Sequence, residues 1–399
     1  MSKKDVVIIS GCRTAIGDFG QSLKSVKAHE LAAVVMKEAL KRANLDGGKL
    51  DDVIFGDCLQ ASEEANTART AMLKAGIPFE VPAVTIQRQC ASGMQSVIFG
   101  ALQILAGDSE YVLAGGTESM SNAPYVLKNA RWGQRLQHGE MTDAMWELLY
   151  SGSHLLGEGY IMGQTAENLA QKYNISRKDQ DQLAFESHSK AIAAIDSGRF
   201  NDEIIPVPIP QRKGDPVMFA IDEHPRRDMT LESLAKLKPA FDKNGTVTAG
   251  SASGLNDGAS ALVLTSLGKA EESGAKPLAR IAASAVAGCE PHLMGYGPVP
   301  AINKLLKKTG LKLQEIELFE INEAFAAQYI ACERGLDLDR SIVNVNGSGI
   351  ALGHPVGSTG ARIIISLMYE MKKRNKKLGI ASLCVGGGMG AAVLIENLQ

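Results

Sequence analysis

Strand-like and helix-like stretches follow one another in the same order twice along this chain, and that repetition narrows the fold more than any other feature. In the first half, DVVIIS (5–10) has the β-branched character of a strand. Ala28–Ala43 keeps helical spacing through Leu31, Val34, Val35 and Leu40, and strand character returns at 51–59 and at AVTI (83–86). A helix then follows, spaced through Met94, Val97, Ile98, Ala101, Leu102 and Leu105, and EYVLAGG (110–116) closes the set. In the second half, 277–288 stands for the first strand, 316–325 for the second strand and its loop, and 341–349 for the third. A helix spans 357–371, and GIASLCVGGG closes this half. Strand–helix alternation predicts an α/β fold, and the shared order predicts a duplicated α/β core of layered sheets and helices. The domain reading is an N-terminal core half at 1–121 completed by 251–271, an inserted loop domain at 122–250, and a C-terminal core half at 272–399. The middle segment differs in character: it holds Trp132, Trp146, the run PVPIP (206–210), a helical stretch Ser176–Ser197 and the polar run EHPRRD (223–228).

Charge and length exclude several classes. A net charge of −2 without a long basic run gives no footprint for nucleic acid. Val6–Ile9 is too short an apolar run for a secretory signal, so the expectation is a cytoplasmic protein. Residues 378–395 carry no charge over 18 positions, close to the length of a membrane span. Four glycines within Gly386–Gly390 split that run into LGIASLCV and AAVLIEN, which predicts a buried hairpin and no membrane association. The six cysteines show neither CxxC pairs nor zinc-ligand spacing, so reduced thiols and no metal site are expected.

Four local patterns can carry chemistry. Cys90, in QRQCASGMQS, follows a strand and opens a helix, where free N–H groups favour a thiolate and lower a cysteine pKa to roughly 3.5–7.5. A buried structural cysteine fits the same local sequence equally well. His354, in ALGHPVGSTGAR, sits on a rigid glycine–proline mount before a helix, although a lone histidine is more often a satisfied polar residue. Cys384 ends a strand before the glycine turn of LCVGGG, whose N–H groups can form an oxyanion hole around Gly386, while core packing is the plainer reading. Asn322 and Glu323 in INEAF follow a strand, where an asparagine also serves as a helix cap.

Taken together, QRQCASG, NEAF, GHPVG and CVGGG in this order resemble the thiolase family over essentially the whole chain, with GTVTAGSASGLNDGAS (245–260) and MGYGP (294–298) adding to the match. The biosynthetic, acetyl-CoA acetyltransferase branch looks nearest. The resemblance implies reversible Claisen condensation of acyl-CoA with acetyl-CoA, or thiolysis of 3-ketoacyl-CoA, with coenzyme A thioesters as substrates and no cofactor. It implies that Cys90 carries the acyl group, that His354 accepts the Cys90 proton, and that Cys384 moves the α-proton. It implies further that His354 and a water on Asn322 hold the enolate oxygen, and that the N–H groups of Cys90 and Gly386 hold the tetrahedral oxygen. For coenzyme A it implies Ser253 at the pantetheine arm and Arg226 and Ser233 near the nucleotide. Met162, Phe241, Met294, Ala324 and Phe325 would line the tunnel, where ordinary core packing is the alternative. It also implies a homo-oligomer, a dimer paired through core sheets and a tetramer with 122–145 as second interface. Gln87 stands where asparagine is common in the family, and Ile161 where many biosynthetic members have histidine, after a stretch at 152–160 that looks longer than usual. Both bear on acyl specificity. The alternatives are a degradative 3-ketoacyl-CoA thiolase with a non-acetyl preference, a related condensing enzyme, a cysteine hydrolase, and a non-catalytic acyl-CoA-binding protein. Cys384-Val385-Gly386 argues against the condensing enzymes, which lack that second cysteine.

Overall fold

The computed structural model describes residues 2–61, 65–136, 138–150 and 160–399. The first half contributes strands β1 (Val6–Thr14), β2 (Asp52–Gly56), β3 (Ala83–Ile86), β4 (Tyr111–Ser119) and β5 (Asn256–Ser266), and helices α1 (Ala28–Ala43), α2 (Thr67–Lys74) and α3 (Ser92–Ala106). Between β4 and β5 lie α4 (Met162–Lys172), α5 (Arg177–Asp196) and short ribbons such as Tyr125–Leu127 with Met141–Asp143. The second half contributes β6 (Ala279–Gly288), β7 (Leu318–Ile321), β8 (Leu378–Val385) and β9 (Met389–Asn397), with α6 (Pro298–Thr309), α7 (Ala326–Leu336) and α8 (Val356–Arg374).

The strand order is β7-β8-β9-β6-β1-β5-β4-β2-β3. Read outward from the β6–β1 junction, the halves match: β6 answers β1, β9 answers β5, β8 answers β4 and β7 answers β2. The pairing directions agree too, antiparallel at β1–β5, β5–β4, β6–β9 and β9–β8, and parallel at β4–β2 and β8–β7. The duplicated α/β architecture is therefore present. The halves share one hydrogen-bonded path, because Val7 and Ile8 of β1 pair with Arg280 and Ala279 of β6.

Side-chain alternation along each strand builds the layers. On β1, Val7 and Ile9 enter a core with Leu31, Val35 and Met36 of α1, while Val6 and Ile8 enter a core holding Val97 of α3 and Ile364 of α8. On β8 and β9, Ala381, Leu383 and Val393 join that same α3–α8 core, while Ile380 and Leu394 pack against Ile302 of α6 and Ile330 of α7. Helices α3 and α8 thus form a middle layer between the two sheet halves, with helices covering each outer face. In α3, Leu102 and Leu105 keep the helical spacing of the apolar residues, yet both are 53% exposed, beside Phe99 at 40%. They form a solvent-facing stripe on an otherwise buried helix.

One expected strand is missing. Over 341–349 only Val343 bridges to Phe319 of β7, and Asn344 takes a left-handed φ of 48°. The Asn344 side chain replaces the ladder: its Oδ1 accepts from Ile321 N at 2.8 Å and its Nδ2 donates to Ile321 O at 2.8 Å. The uncharged run at 378–395 is the expected hairpin, in register from Leu378–Glu396 to Val385–Met389. Among the described residues no helix is long and apolar enough to cross a membrane, and all six cysteines are free.

Candidate active site

Glycines let α3 and α8 meet backbone to backbone. A Cβ on Gly93 would lie 2.8 Å from the Gly357 carbonyl oxygen, and one on Gly360 would lie 2.4 Å from Met94 N. The first turns of the two helices are thereby brought together, with Cys90 just before one and His354 just before the other.

Cys90 is mounted on a strained turn. Gln89 holds a φ of 47°, outside the usual range for a residue with a side chain. Ser92 stabilises that turn, its Oγ accepting from Arg88 N at 2.8 Å and donating to Gln89 O at 2.7 Å. The Cys90 sulfur receives the backbone N–H of Gly386 as well as its own. Gly386 opens the β8–β9 turn, in which Gly387 and Gly388 take φ values of 83° and 89° that favour glycine. The expected low thiol pKa is not found. Burial pushes Cys90 up to about 11, the two N–H groups pull it back only in part, and the Glu118 carboxylate adds to the rise. Loss of hydration outweighs the helix end here, so the resting group is a thiol and needs a base.

His354 presents a nitrogen able to accept a proton. Its backbone N–H donates to Asn256 Oδ1 at 2.8 Å, and its Nδ1 lies 2.7 Å from Thr359 Oγ1. Nε2 is buried with no hydrogen-bond partner among the described residues, and the ring lines the cavity that Cys90 and Gly386 also line. Burial, with the nearby Arg362 charge second, lowers its pKa to about 3, so the ring is neutral at pH 7.

Cys384 and Asn322 lie behind this wall. Cys384, at the end of β8, is fully buried. Its pKa is raised well above the ordinary value by burial first, and then by the charge of Cys90. Asn322 follows β7, is fully buried, and has neither side-chain atom hydrogen-bonded among the described residues. It does not cap the next helix, which starts at Ala326.

The cavity measures about 430 Å³. Met162, Phe241, Met294, Ala324 and Phe325 line it, with the rings of Phe241 and Phe325 edge to face at 5.9 Å. Ser253 and Arg226 line it as well, and Ser253 N donates to Ala324 O at 2.9 Å. Ser233 does not. It is exposed and lies inside a short helix capped by Thr230, its Oγ accepting from Thr230 N at 3.0 Å. Ile161 lines the wall at the start of α4, while residues 151–159 fall outside the described residues. Sequence reasoning missed His188 and His224 on this wall. They lie 6.2 Å apart, His224 hydrogen-bonds Asp18, and His188 Nδ1 accepts from Arg226 N at 3.1 Å. The polar run around His224 was a visible signal, whereas His188 sits within a helical stretch with no local mark. Among the described residues no cluster of three or more His, Cys, Asp or Glu side chains could hold a metal ion.

A cysteine thiol and a neutral imidazole, each just before the first turn of one of two crossing helices and both lining one largely apolar cavity, form a site able to support acyl transfer on a duplicated α/β fold. Models of the thiolase N-terminal and C-terminal domains match residues 6–267 and 275–397. The chain belongs to the thiolase family, and it is an acyltransferase. It is 50% identical to the acetyl-CoA acetyltransferase of Syntrophomonas wolfei over 99% of this chain and 100% of that one. It is 51% identical to that of Cupriavidus necator over 98% and 99%. The crystal structure of the Bacillus anthracis acetyl-CoA acetyltransferase superposes with a TM-score of 0.96 at 56% identity, covering 99% of both chains. Human mitochondrial 3-ketoacyl-CoA thiolase, whose structure in complex with CoA is also similar, gives 0.95 at 45% identity over 99% of both.

Proposed function

We propose that this enzyme joins an acyl-CoA to acetyl-CoA by reversible Claisen condensation, and in reverse cleaves 3-ketoacyl-CoA, through an acyl group carried on Cys90. One observation carries the reading: Cys90, the Gly386 N–H and the unpartnered His354 Nε2 all meet at a single cavity that also reaches Ser253 and Arg226. In the first half-reaction His354 Nε2 takes the Cys90 proton, and the sulfur bonds to the thioester carbon. The oxygen accepts the N–H groups of Cys90 and Gly386, and CoA leaves with the proton from His354. In the second, Cys384 passes its proton to His354 and, as thiolate, removes the α-proton of acetyl-CoA. The enolate, held by the protonated His354 and a water on Asn322, then attacks the acyl carbon, and Cys90 leaves and takes its proton back from His354. A thiol whose pKa burial raises so far makes a strong base once ionised.

In this reading coenzyme A lies along the inserted segment 122–250 and its exit, without a further cofactor. Its pantetheine runs past Ser253 between the apolar walls, and its nucleotide lies near Arg226 and the exposed Ser233. The Syntrophomonas wolfei and Cupriavidus necator relatives bear the name acetyl-CoA acetyltransferase, which favours an acetyl-sized acyl group here. Ile161 on the cavity wall favours a second reading, a preference for longer 3-ketoacyl-CoA. We place the enzyme in the cytoplasm as a homo-oligomer. The exposed stripe Phe99, Leu102 and Leu105 beside the free edge of β3 gives a dimer face, and the ribbon bearing Tyr125 and Met141 a tetramer contact. Mass spectrometry after mixing with acetyl-CoA should find one acetyl group on Cys90, with thiolysis of acetoacetyl-CoA in parallel. Turnover without a covalent adduct would refute the mechanism. Sedimentation equilibrium at 42.4 kDa would refute the oligomer.

A further inference from the structure

We infer that Thr359 is a positioning residue that holds His354 as the tautomer with its hydrogen on Nδ1, leaving Nε2 free to accept a proton. The inference rests on the reading of His354 as the base for Cys90. A threonine hydroxyl has one hydrogen and two lone pairs. Thr359 Oγ1 lies 2.9 Å from Pro355 O, which can only accept, and 2.7 Å from His354 Nδ1. With the hydroxyl hydrogen directed to Pro355 O, Oγ1 faces Nδ1 with a lone pair, and Nδ1 must carry the hydrogen. Thr359 lies in the first turn of α8 and Pro355 is its cap, so the hydroxyl is held on rigid helix backbone.

The rest of the mount leaves the ring little freedom. Asn256 Oδ1 takes the His354 backbone N–H at 2.8 Å, and Asn256 Nδ2 is itself tied to Gly17 O at 3.1 Å. Gly353, at a φ of 96°, passes so close that a Cβ would lie 2.6 Å from the Asn256 amide carbon. Thr359 is fully buried, so water does not compete for Nδ1. When Nε2 takes the Cys90 proton, the ring becomes a cation with hydrogens on both nitrogens. Thr359 still accepts from Nδ1 without turning, and Nε2–H is then aimed into the cavity to donate to a leaving sulfur or an enolate oxygen. One fixed acceptor therefore serves both protonation states. The opposite arrangement, with the hydroxyl donating to Nδ1, would put the hydrogen on Nε2 and leave no lone pair for the thiol.

The test is a ring-nitrogen NMR spectrum of the full-length enzyme labelled with 15N-histidine, in which His354 is assigned by its loss in His354→Asn. Acylation by acetyl-CoA is timed in parallel for the wild type, Thr359→Val and Thr359→Ser. The expected wild-type spectrum has the hydrogen on Nδ1. Thr359→Val should move it toward Nε2 and slow acylation ten- to hundredfold, and Thr359→Ser should restore both to within about threefold. A wild-type ring with its hydrogen on Nε2 overturns the inference, even if the valine variant does not fold. So does a folded Thr359→Val enzyme with an unchanged tautomer and rate. Wild-type acylation by His354→Asn would instead overturn the role of His354 as base, leaving the tautomer to be read directly from the spectrum.

Discussion

Gly116 on β4 lies beneath Gly357 on α8 so closely that a Cβ at Gly116 would sit 2.0 Å from the Gly357 carbonyl oxygen. Only a bare backbone fits there, and the same carbonyl abuts Gly93 of α3. Gly116→Ala should therefore push α8 off the sheet. Overpacking of this kind costs about 1–3 kcal/mol, and a shift of about 1 Å between reacting groups costs about a hundredfold in rate. Thermal unfolding and kcat should both fall, while Gly48→Ala, whose added carbon meets nothing closer than 3.6 Å, should leave both unchanged. Wild-type kcat in Gly116→Ala would show that the helix crossing does not set the site.

Cys90 should be alkylated through its small thiolate fraction. With the thiol raised to about 11, labelling by iodoacetamide should climb about tenfold per pH unit from 7 to 10, and acetyl-CoA should protect it. Peptide mapping would report the site. A rate that levels off below pH 8 would mean a preformed thiolate, contrary to the effect of burial.

Cys384→Ala should separate the half-reactions. Acetylation of Cys90 should persist, because that step uses His354, while condensation should drop by about 10²–10⁴. Normal synthesis by the variant would remove Cys384 from the role of base.

Ile161→His should change chain-length preference. An apolar wall contacts methylenes, each worth about 0.8 kcal/mol or roughly fourfold, and histidine would forfeit part of that contact. The ratio of kcat/KM for 3-ketohexanoyl-CoA over acetoacetyl-CoA should fall by about that factor per methylene. An unchanged ratio in a folded variant would place Ile161 outside the acyl path.

His188 should make the fold acid-sensitive. Burial lowers its pKa to about 3, assisted by His224 and Arg226 and opposed by Asp18. Its folded value lies below the unfolded 6.5, so its contribution is complete above pH 6.5 and is lost as pH falls toward 3. At pH 4.5 the loss is roughly 3 kcal/mol. His188→Gln should flatten the dependence of the urea midpoint on pH between 6.5 and 4.5. An equal slope in both proteins would show that His188 is not held neutral.

Element order was legible because periodicity is a local property. Ala28–Ala43 and Ala83–Ile86 are helix and strand spans, respectively, that the residue pattern alone delimits. The motif around Cys90, His354, Cys384 and Asn322 was likewise visible, since turns and helix starts leave their mark in adjacent residues. The strand expected at 341–349 was not to be had from pattern, because a single side chain, Asn344, supplies the ladder bonds that a strand would have made. The exposure of Leu102 and Leu105 was hidden for a related reason: helical spacing marks an apolar face but not what covers it. The ionisation of Cys90 depended on tertiary structure in the same way. The helix start that favours a thiolate is written in the sequence, but its burial beneath β8 and α8 joins residues more than 250 positions apart, and that loss of hydration decides the charge. Local chain chemistry marked Cys90 and His354 as candidates, whereas the packing of two distant helices brought both to one cavity and, by burial, kept the proton on Cys90.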